Sequence, residues 1–190
     1  MRKLILSMQV SLDGFVDGEN GDLSWVQKDD EESWTDLFQM LKSVDLFLLG
    51  RVMYPDYRDY WKSTLTNEKA SPNHKAYAQL AEKTSHIVFS QTLKDSGWGN
   101  TRINSGPVAE EVKKIKQQSG GDIQIVGGAK LASSLINAGL VDEYRIVVNP
   151  VMIAKGKSFF HQLTGWSNLH FQSAKTLTSG IVVLRYETRR

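Results

Sequence analysis

The sequence predicts an α/β fold with a mostly parallel central sheet and an antiparallel hairpin at its end. Three observations lead to this fold class. Short apolar runs typical of buried strands alternate along the chain with segments whose apolar residues recur at helical spacing. Residues 122–150 give a strand, a glycine turn, a helix and a second strand, the unit from which parallel sheets are built. Residues 168–187 instead give two strands around one turn, which predicts a hairpin.

The first part of the chain predicts two strands and a helix. An alternating pattern over residues 4–10 predicts the first strand, and a loop rich in Gly and Asp follows over residues 13–22. Residues 30–43 predict a helix, because acids fill the first turn and the apolar residues fall on one face. Residues 45–50, DLFLLG, are apolar on both faces, so we expect this strand near the centre of the sheet.

The middle of the chain predicts two more helices and two more strands. A helix over residues 71–83 begins with Ser-Pro, and HIVFS at 86–90 is typical of a buried strand. TRIN at 101–104 predicts a short strand. The next helix starts at residues 105–107 and ends before the glycine pair at 120–121. Its acids come early and its lysines late, as the helix dipole favours.

The last part of the chain has the most regular pattern. DIQIV at 122–126 predicts a strand, Gly-Gly at 127–128 a turn, and AKLASSLINA at 129–138 a helix. DEYRIVVNP at 142–150 predicts the strand that completes this unit, with a right-handed crossover. The final hairpin turns at residues 178–180, Thr-Ser-Gly.

Length and composition narrow the possible classes of function. The chain has 190 residues and no visible repeat or linker, so we expect one domain over residues 1–190. It contains no Cys, which excludes disulfides, thiol catalysis and cysteine-ligated metals. The net charge is +2 without any block of like charge, so nothing indicates a nucleic-acid surface. No stretch approaches the ~20 apolar residues of a membrane span, and we expect a cytoplasmic protein.

Three predicted strands end in groups that suit a phosphate. Gly127-Gly128 would let backbone amides approach an anion at a helix start, although a tight turn with positive φ explains the pair equally well. Arg51 follows the strand that ends in Gly50, and its planar fork suits a phosphate, unless it pairs with Asp56 or Asp59 on the surface. Ser90 follows a third strand. Ligands bind at this edge of open α/β sheets.

Four short motifs occur in the order and spacing of a known family. SLDGFV, LLGRVMY, IVFSQT and IVGGAKL together resemble the dihydrofolate reductase-like superfamily. Within it, the chain is most similar to the bacterial branch grouped with the C-terminal reductase domain of the riboflavin-pathway enzyme RibD. This resemblance spans nearly the whole chain. It implies a three-layer fold and an NADPH-dependent reduction, with NADPH lying across the carboxyl ends of the central strands.

The resemblance also implies which residues contact NADPH. Arg51 is implied as the partner of the 2′-phosphate, and the glycine turn lies beneath the pyrophosphate. The loop over residues 13–18 is implied to cover the nicotinamide. The implied cofactor-binding residues are Val10, Gly18, Gly50, Arg51, Met53, Ser90, Gln91, Gly127, Gly128, Ala129 and Leu131.

The proton-donating acid of dihydrofolate reductases has no counterpart at the matching position, which is Trp34 here. Glu31 and Glu32 lie just before it and Asp36 lies just after it, but an acid there reaches the pocket only if the helix is shifted. A charged first turn is otherwise an ordinary helix start. Asp13 either contacts the ligand or holds its own loop. The catalytic residue is therefore unknown, with Asp13, Glu32 and Trp34 as candidates.

The sequence supports neither the substrate of RibD nor that of dihydrofolate reductase. RibD reductase domains carry an Asp-Asp-Pro segment after the second strand, and this chain has PDYRDYW there, so neither the riboflavin precursor nor folate is supported. The aromatic residues in this region suit a flat heteroaromatic compound, although for any single ring a place in the core is the more common role. The predicted substrate pocket comprises Trp34, Tyr54 and Tyr57.

Together, these features predict an NADPH-dependent oxidoreductase for a small heteroaromatic, pterin- or pyrimidine-like compound. It would be similar to dihydrofolate reductase and to 5-amino-6-(5-phosphoribosylamino)uracil reductase. The alternative is a nucleotide-binding module of the same fold without turnover.

The four His residues lack the spacing of a helical metal site, so we assign no metal. We also expect a homodimer, possible through pairing of the C-terminal strand IVVLRYE, and neither a nucleic-acid nor a membrane partner.

Overall fold

The computed structural model describes residues 1–27, 29–160 and 162–189. These residues form a sheet of eight strands, a second sheet of two strands and five α-helices. The strands are β1 (Leu4–Ser11), β2 (Phe15–Asp17), β3 (Val44–Gly50), β4 (Ser85–Phe89), β5 (Thr101–Asn104), β6 (Asp122–Gly127), β7 (Glu143–Asn149), β8 (Lys157–Ser158), β9 (Leu169–Thr176) and β10 (Val182–Thr188). The helices are α1 (Glu31–Leu41), α2 (Tyr54–Thr66), α3 (Pro72–Lys83), α4 (Val108–Lys116) and α5 (Ala129–Asn137).

The large sheet has the strand order β5-β4-β3-β6-β1-β7-β10-β9. Neighbouring strands from β5 to β7 are parallel, whereas β10 is antiparallel to β7 and β9 is antiparallel to β10. The predicted fold class, a mostly parallel sheet with an antiparallel C-terminal hairpin, is therefore confirmed. The first strand β1 lies between β6 and β7, the two strands of the predicted strand–helix–strand unit.

Helices cover both faces of the sheet, which explains why the central strands are apolar throughout. On one face, Leu48 of β3 belongs to the same core cluster as Leu135 of α5. On the other face, Phe47 of β3 packs in a cluster with Met40 of α1 and Tyr77 of α3. Because consecutive strand residues point to opposite faces, β3 contributes to both cores and forms the middle of three layers.

The helix α2 is an element that the sequence pattern did not predict. Its segment begins Tyr-Pro-Asp and contains few aliphatic residues, so its apolar stripe is made of rings. Tyr54 and Tyr57 are buried one helical turn apart, and Thr64 is buried further along. Proline occupies the start of the helix, where its missing amide hydrogen is not needed.

The loop over residues 13–22 contains a short strand, β2, that pairs with β8 far along the chain. Gly156 precedes β8 with a φ of 139°, and a methyl group there would come closer than 3.0 Å to the carbonyl oxygen of Asp17. Lys157 also forms an ion pair with Asp17. Glycine is therefore required at position 156. The pairing of β2 with β8 was not predicted, because strands of two and three residues leave no periodic pattern in a sequence.

The expectation that IVVLRYE pairs across a two-fold axis is wrong. This segment is β10, and it lies between β7 and β9 with both of its edges hydrogen-bonded. The strand at the end of the sheet is β9, whose eight residues are all exposed. No helix in the described part of the chain is long and apolar enough to cross a membrane.

Candidate functional site

The carboxyl ends of β3 and β6 meet so closely that glycine is required at their contact. A methyl group on Gly128 would lie 3.2 Å from the Cα atom of Gly50 and 3.3 Å from its nitrogen. Gly128 also has a φ of 95°, which residues with side chains rarely adopt. The pair thus forms the tight turn that the sequence left as one of two readings. Because no side chain stands at this contact, the same turn also leaves backbone that a ligand can approach.

Helix α5 starts directly after this turn, and no side chain caps its N-terminus. Its first amide groups therefore remain available to an anion, whose charge the helix dipole also favours. Ala129 and Leu131 have buried side chains, 9% and 6% exposed. These two predicted residues can thus meet a ligand mainly through their backbone.

Met53 lies against the same turn. A methyl group on Gly127 would come closer than 3.0 Å to the sulfur atom of Met53. The structure therefore brings together four of the predicted cofactor-binding residues, Gly50, Met53, Gly127 and Gly128.

Arg51 follows β3 directly and its side chain is exposed. Of the two acids considered as its surface partners, Asp59 pairs instead with Arg58 at 2.7 Å. Within the described residues no ion pair of Arg51 is found. Its guanidinium group is thus placed at the ligand-binding edge without an acid to neutralise it.

Ser90 and Gln91 end the neighbouring strand β4 in different roles. The buried Ser90 hydroxyl accepts hydrogen bonds from the backbone nitrogens of Thr92 and Leu93, at 3.2 and 2.9 Å. Ser90 therefore shapes the turn after β4. Gln91 is exposed and extends from that turn.

Asp13 holds the loop that follows β1. It accepts hydrogen bonds from the Ser11 hydroxyl at 2.6 Å and from the backbone nitrogen of Ala154 at 2.8 Å. The bond from Ser11 is the main reason that the pKa of Asp13 is lowered. This arrangement corresponds to the loop-holding role considered for Asp13.

Val10 is buried at the end of β1, and Gly18 closes a turn by donating from its backbone nitrogen to the carbonyl oxygen of Asp22.

Glu32 and Trp34 occupy the first turns of α1 but face different neighbours. The Glu32 carboxylate accepts hydrogen bonds from the backbone nitrogen and the hydroxyl of Thr178, both at 2.8 Å, and these bonds lower its pKa. Glu32 thus ties α1 to the turn between β9 and β10. Trp34 is partly buried, with its ring stacked on Phe38 at 5.6 Å and edge-on to His74 at 5.3 Å.

Tyr54 and Tyr57 lie in the core in this structure. Tyr54 is 0% exposed and donates a hydrogen bond to the carbonyl oxygen of Ser96. Tyr57 is 7% exposed, and its hydroxyl lies 3.3 Å from Nε2 of His86. Both rings are thus packed in the core, which was the alternative to a substrate-lining role for each of them. Of the three residues predicted to line the substrate pocket, Trp34 is the one with partial exposure.

A buried ion cluster that the sequence did not predict fixes α1 to the sheet. Asp36 on α1 lies 2.6 Å from Arg145 on β7 and 2.9 Å from Arg185 on β10. Burial would raise the pKa of Asp36, but the two guanidinium groups outweigh it and lower the pKa. Arg145 also donates to the hydroxyl of Ser7 on β1. In the sequence, this cluster is indicated by a single arginine within each of two mostly apolar strand segments.

Asn149 is a second unpredicted residue near the site. Its side chain is fully buried at the carboxyl end of β7 and donates to the side-chain oxygen of Gln9 at 2.8 Å. Its own oxygen accepts a bond from the backbone nitrogen of Gln27 at 3.3 Å. The chain that follows Trp25 is therefore fixed above the ends of β1 and β7.

Two grooves lie at the opposite edge of the sheet. One of about 760 Å³ is lined by Arg2, Asp45 and Ser85, and one of about 410 Å³ by Asp122 and Glu143. These residues mark the amino ends of the strands, where ligands of open α/β sheets rarely bind. Arg2 is also neutralised by Asp45. Among described residues, no group of three His, Asp or Glu could hold a metal.

Comparison with known proteins supports this architecture. The chain is 34% identical over 185 residues to the uncharacterized protein YyaP of Bacillus subtilis, covering 97% of this chain and 94% of that one. A putative riboflavin biosynthesis protein from Shewanella has the same fold, with a TM-score of 0.76 at 15% identity over all of both chains. Dihydrofolate reductase from Enterococcus faecalis, complexed with NADP(H), matches with a TM-score of 0.64 at 15% identity, over 99% of this chain and 97% of that one.

A family model also matches almost the whole chain. The model of the RibD C-terminal domain aligns with residues 2–183, from before β1 into β10. The aligned span contains the glycine contact between β3 and β6, the uncapped start of α5 and Arg51. The chain belongs to the RibD C-terminal domain family.

Proposed function

We propose that this protein is a reductase that binds NADPH at the carboxyl edge of its sheet and reduces a small heteroaromatic compound. The observation that supports it most is the glycine cradle, in which Gly50 and Gly128 approach each other beside the uncapped start of α5. A pyrophosphate fits such a cradle because backbone amides can reach it without steric hindrance. The family membership and the NADP(H) complex of the similar dihydrofolate reductase agree with this proposal.

In this proposal the chain binds and orients the cofactor and the substrate, and NADPH, when bound, supplies the hydride. The residues Gly127 and Gly128 hold the pyrophosphate through their backbone, and Arg51 pairs with the 2′-phosphate. Met53 lies beside the cradle and limits its width. Trp34, partly buried at the start of α1, provides an apolar ring for the substrate.

The proton for the reduced substrate comes from water in this proposal. Three acids lie close to Trp34 in the sequence of α1. Glu31 accepts a hydrogen bond from the side chain of Asn73 at 3.0 Å, and Glu32 and Asp36 are engaged by neighbouring residues. Glu32 is bound by Thr178, and Asp36 is bound by two arginines. Their lowered pKa values favour the charged form, which holds no proton to donate.

The role of Arg51 can be tested by titration calorimetry with NADPH and NADH. Loss of a charge-assisted contact to the 2′-phosphate should weaken NADPH binding to Arg51→Ala about tenfold or more, and leave NADH binding nearly unchanged. Arg189→Ala is the matched control, because it removes the same charge beyond the end of β10. Equal affinity of the wild type for the two cofactors would exclude this role of Arg51.

A binding module without turnover is the second candidate. It is favoured because Glu32 and Asp36, beside Trp34, are already held by hydrogen bonds and ion pairs. NADPH oxidation measured against pterins, pyrimidines, quinones and nitroaromatics separates the two functions. A reductase oxidises NADPH with at least one of these classes above the rate without substrate. A module that only binds the nucleotide should give the background rate with all of them while still binding NADPH in the calorimeter.

A further inference from the structure

Gln9 lies near the carboxyl end of β1, on the face of the sheet that α1 covers. Alternate residues of a strand share a face, and Ile5 of β1 packs in the core cluster that contains side chains of α1. Further along this face, the hydroxyl of Ser7 accepts a bond from Arg145, which also donates to the carbonyl oxygen of Ser33 on α1. Gln9 is the next residue on this face and continues the row towards the start of α1.

The orientation of the Gln9 amide is fixed by Asn149 on the neighbouring strand β7. The side chain of Asn149 is fully buried, and its oxygen accepts a hydrogen bond from the backbone nitrogen of Gln27 at 3.3 Å. Its nitrogen faces the backbone carbonyl oxygens of Val10 and Val147, both at 3.4 Å. Asn149 can therefore present only a donor to Gln9, and it donates to Oε1 of Gln9 at 2.8 Å.

The other half of the Gln9 amide is left available to a ligand. Nε2 of a glutamine carries two donor hydrogens, and reversing the amide would place this NH₂ group against that of Asn149. Within residues 1–27, 29–160 and 162–189, no hydrogen-bond partner of Nε2 is found. Because Gln9 is half-buried, a ligand that covered it without offering an acceptor would leave these donors unsatisfied.

Apolar side chains suited to a flat ring lie at the same edge of the sheet. Trp34 of α1, Met53 and Val126 of β6 are partly buried and pack against the core cluster on the α1 face. Val126 directly precedes the Gly127-Gly128 turn, and Met53 lies against that turn. Few polar groups among apolar walls are typical of sites for small molecules, where the polar groups set the orientation of the ligand.

We propose that Gln9 determines the substrate specificity of this site, by donating from Nε2 to a carbonyl oxygen or ring nitrogen on the edge of a heteroaromatic ring. This inference rests on the proposed function, since the ring must lie beside NADPH to be reduced. It narrows the substrate class to rings that present a hydrogen-bond acceptor towards β1. A ring that presents only amino hydrogens there would leave its own donors and those of Gln9 unsatisfied.

Binding of two pteridines to the full chain tests this role. The first probe, 1,3-dimethylpteridine-2,4-dione, has only acceptors on its edge, whereas the second, pteridine-2,4-diamine, presents two amino groups. Ligand-observed NMR titration gives the dissociation constant of each probe. NADP⁺ is present throughout, because it occupies the cofactor site without supplying a hydride.

Gln9→Glu keeps an oxygen for the bond from Asn149 and replaces the donor with a second acceptor. It should weaken binding of the dione at least tenfold and leave the diamine bound at least as tightly as before. Gln39→Glu is the matched control, because it makes the same change at an exposed position near the end of α1. Gln9→Met removes the donor without adding charge and should weaken the dione about fivefold. It decides the question if Gln9→Glu does not fold.

Calorimetry with NADPH on the same samples separates this inference from the proposed function. A wild type that binds NADPH but not the dione, or Gln9 variants that bind the dione unchanged, would overturn the role of Gln9 alone. So would equal loss of both pteridines in Gln9→Glu, or a similar loss of the dione in Gln39→Glu. A wild type that binds the dione but not NADPH would instead overturn the proposed function, and one that binds neither would overturn both.

Discussion

Single glycines determine the geometry of the candidate site more than any of its polar side chains. The two members of the Gly127-Gly128 pair are constrained differently, however. Gly127 faces the end of a flexible side chain, that of Met53, whereas Gly128 faces the backbone of Gly50 and has a positive φ. A flexible side chain can move aside for a methyl group, and a central strand cannot.

This difference predicts unequal costs for two alanine substitutions. Gly127→Ala should lower the free energy of unfolding by about 1 kcal/mol, and adding Met53→Ala should recover part of the loss by making room. Gly128→Ala should cost about 3 kcal/mol, because strain and contact with backbone add, and Met53→Ala should not recover it. Urea unfolding of the four variants measures these values. Equal costs at the two positions would contradict the geometry described.

A second residue-scale feature is the histidine in the aromatic core. His86 is 1% exposed and stacks on Trp98 at 4.9 Å. Burial lowers the pKa of His86 from its ordinary value of 6.5 to about 4. Below pH 6.5 the unfolded chain therefore binds a proton at this residue, and the folded protein does not until the pH approaches 4.

The stability contributed by neutral His86 is present above pH 6.5 and is lost as the pH falls towards 4. The loss should reach about 3 kcal/mol across this window. It is measured as the difference in unfolding free energy between wild type and His86→Gln at a series of pH values. His170→Gln, at an exposed position on β9, serves as the matched control for the loss of an imidazole. A difference that stays constant with pH would show that His86 titrates normally in the folded state.

At the scale of elements, α1 is held to the sheet through one carboxylate. Asp36 reaches two strands at once, since Arg145 belongs to β7 and Arg185 to β10. The side chain of Arg145 is 3% exposed and that of Arg185 is 29% exposed. The helix that contributes Glu32 and Trp34 is thus fixed by an ion cluster rather than by apolar packing alone.

Asp36→Asn should destabilise the protein by about 3 kcal/mol in urea unfolding, because it leaves the buried charge of Arg145 without its counter-ion. Arg185→Met should cost less than about 1 kcal/mol, since Arg185 is the more exposed cation and Asp36 keeps Arg145 as its partner. If the two variants lost similar stability, the cluster would not depend on the buried pair.

At the scale of the whole molecule, periodic features could be predicted and distant contacts could not. The buried strands, the hairpin and four helices followed from apolar spacing and turn residues, which act locally. The helix α2 was not predicted, because its buried stripe consists of aromatic rings rather than aliphatic residues. Asp36 and Arg145 are 109 residues apart, and Asn149 and Gln9 are 140 apart, so no local pattern indicates that they meet. The glycine turn was found because its constraint lies within two adjacent residues.

The position of β1 has a consequence for how the protein is made. This strand precedes all the other strands of the sheet in the sequence, yet Leu4 pairs with Ile123 and Ile5 pairs with Glu143. It therefore lacks both of its neighbours in the sheet until β6 and β7 have been synthesised, more than a hundred residues later. Because the centre of the sheet can be completed only after β7 has been synthesised, nascent chains halted before β7 should be prone to aggregation and dependent on chaperones.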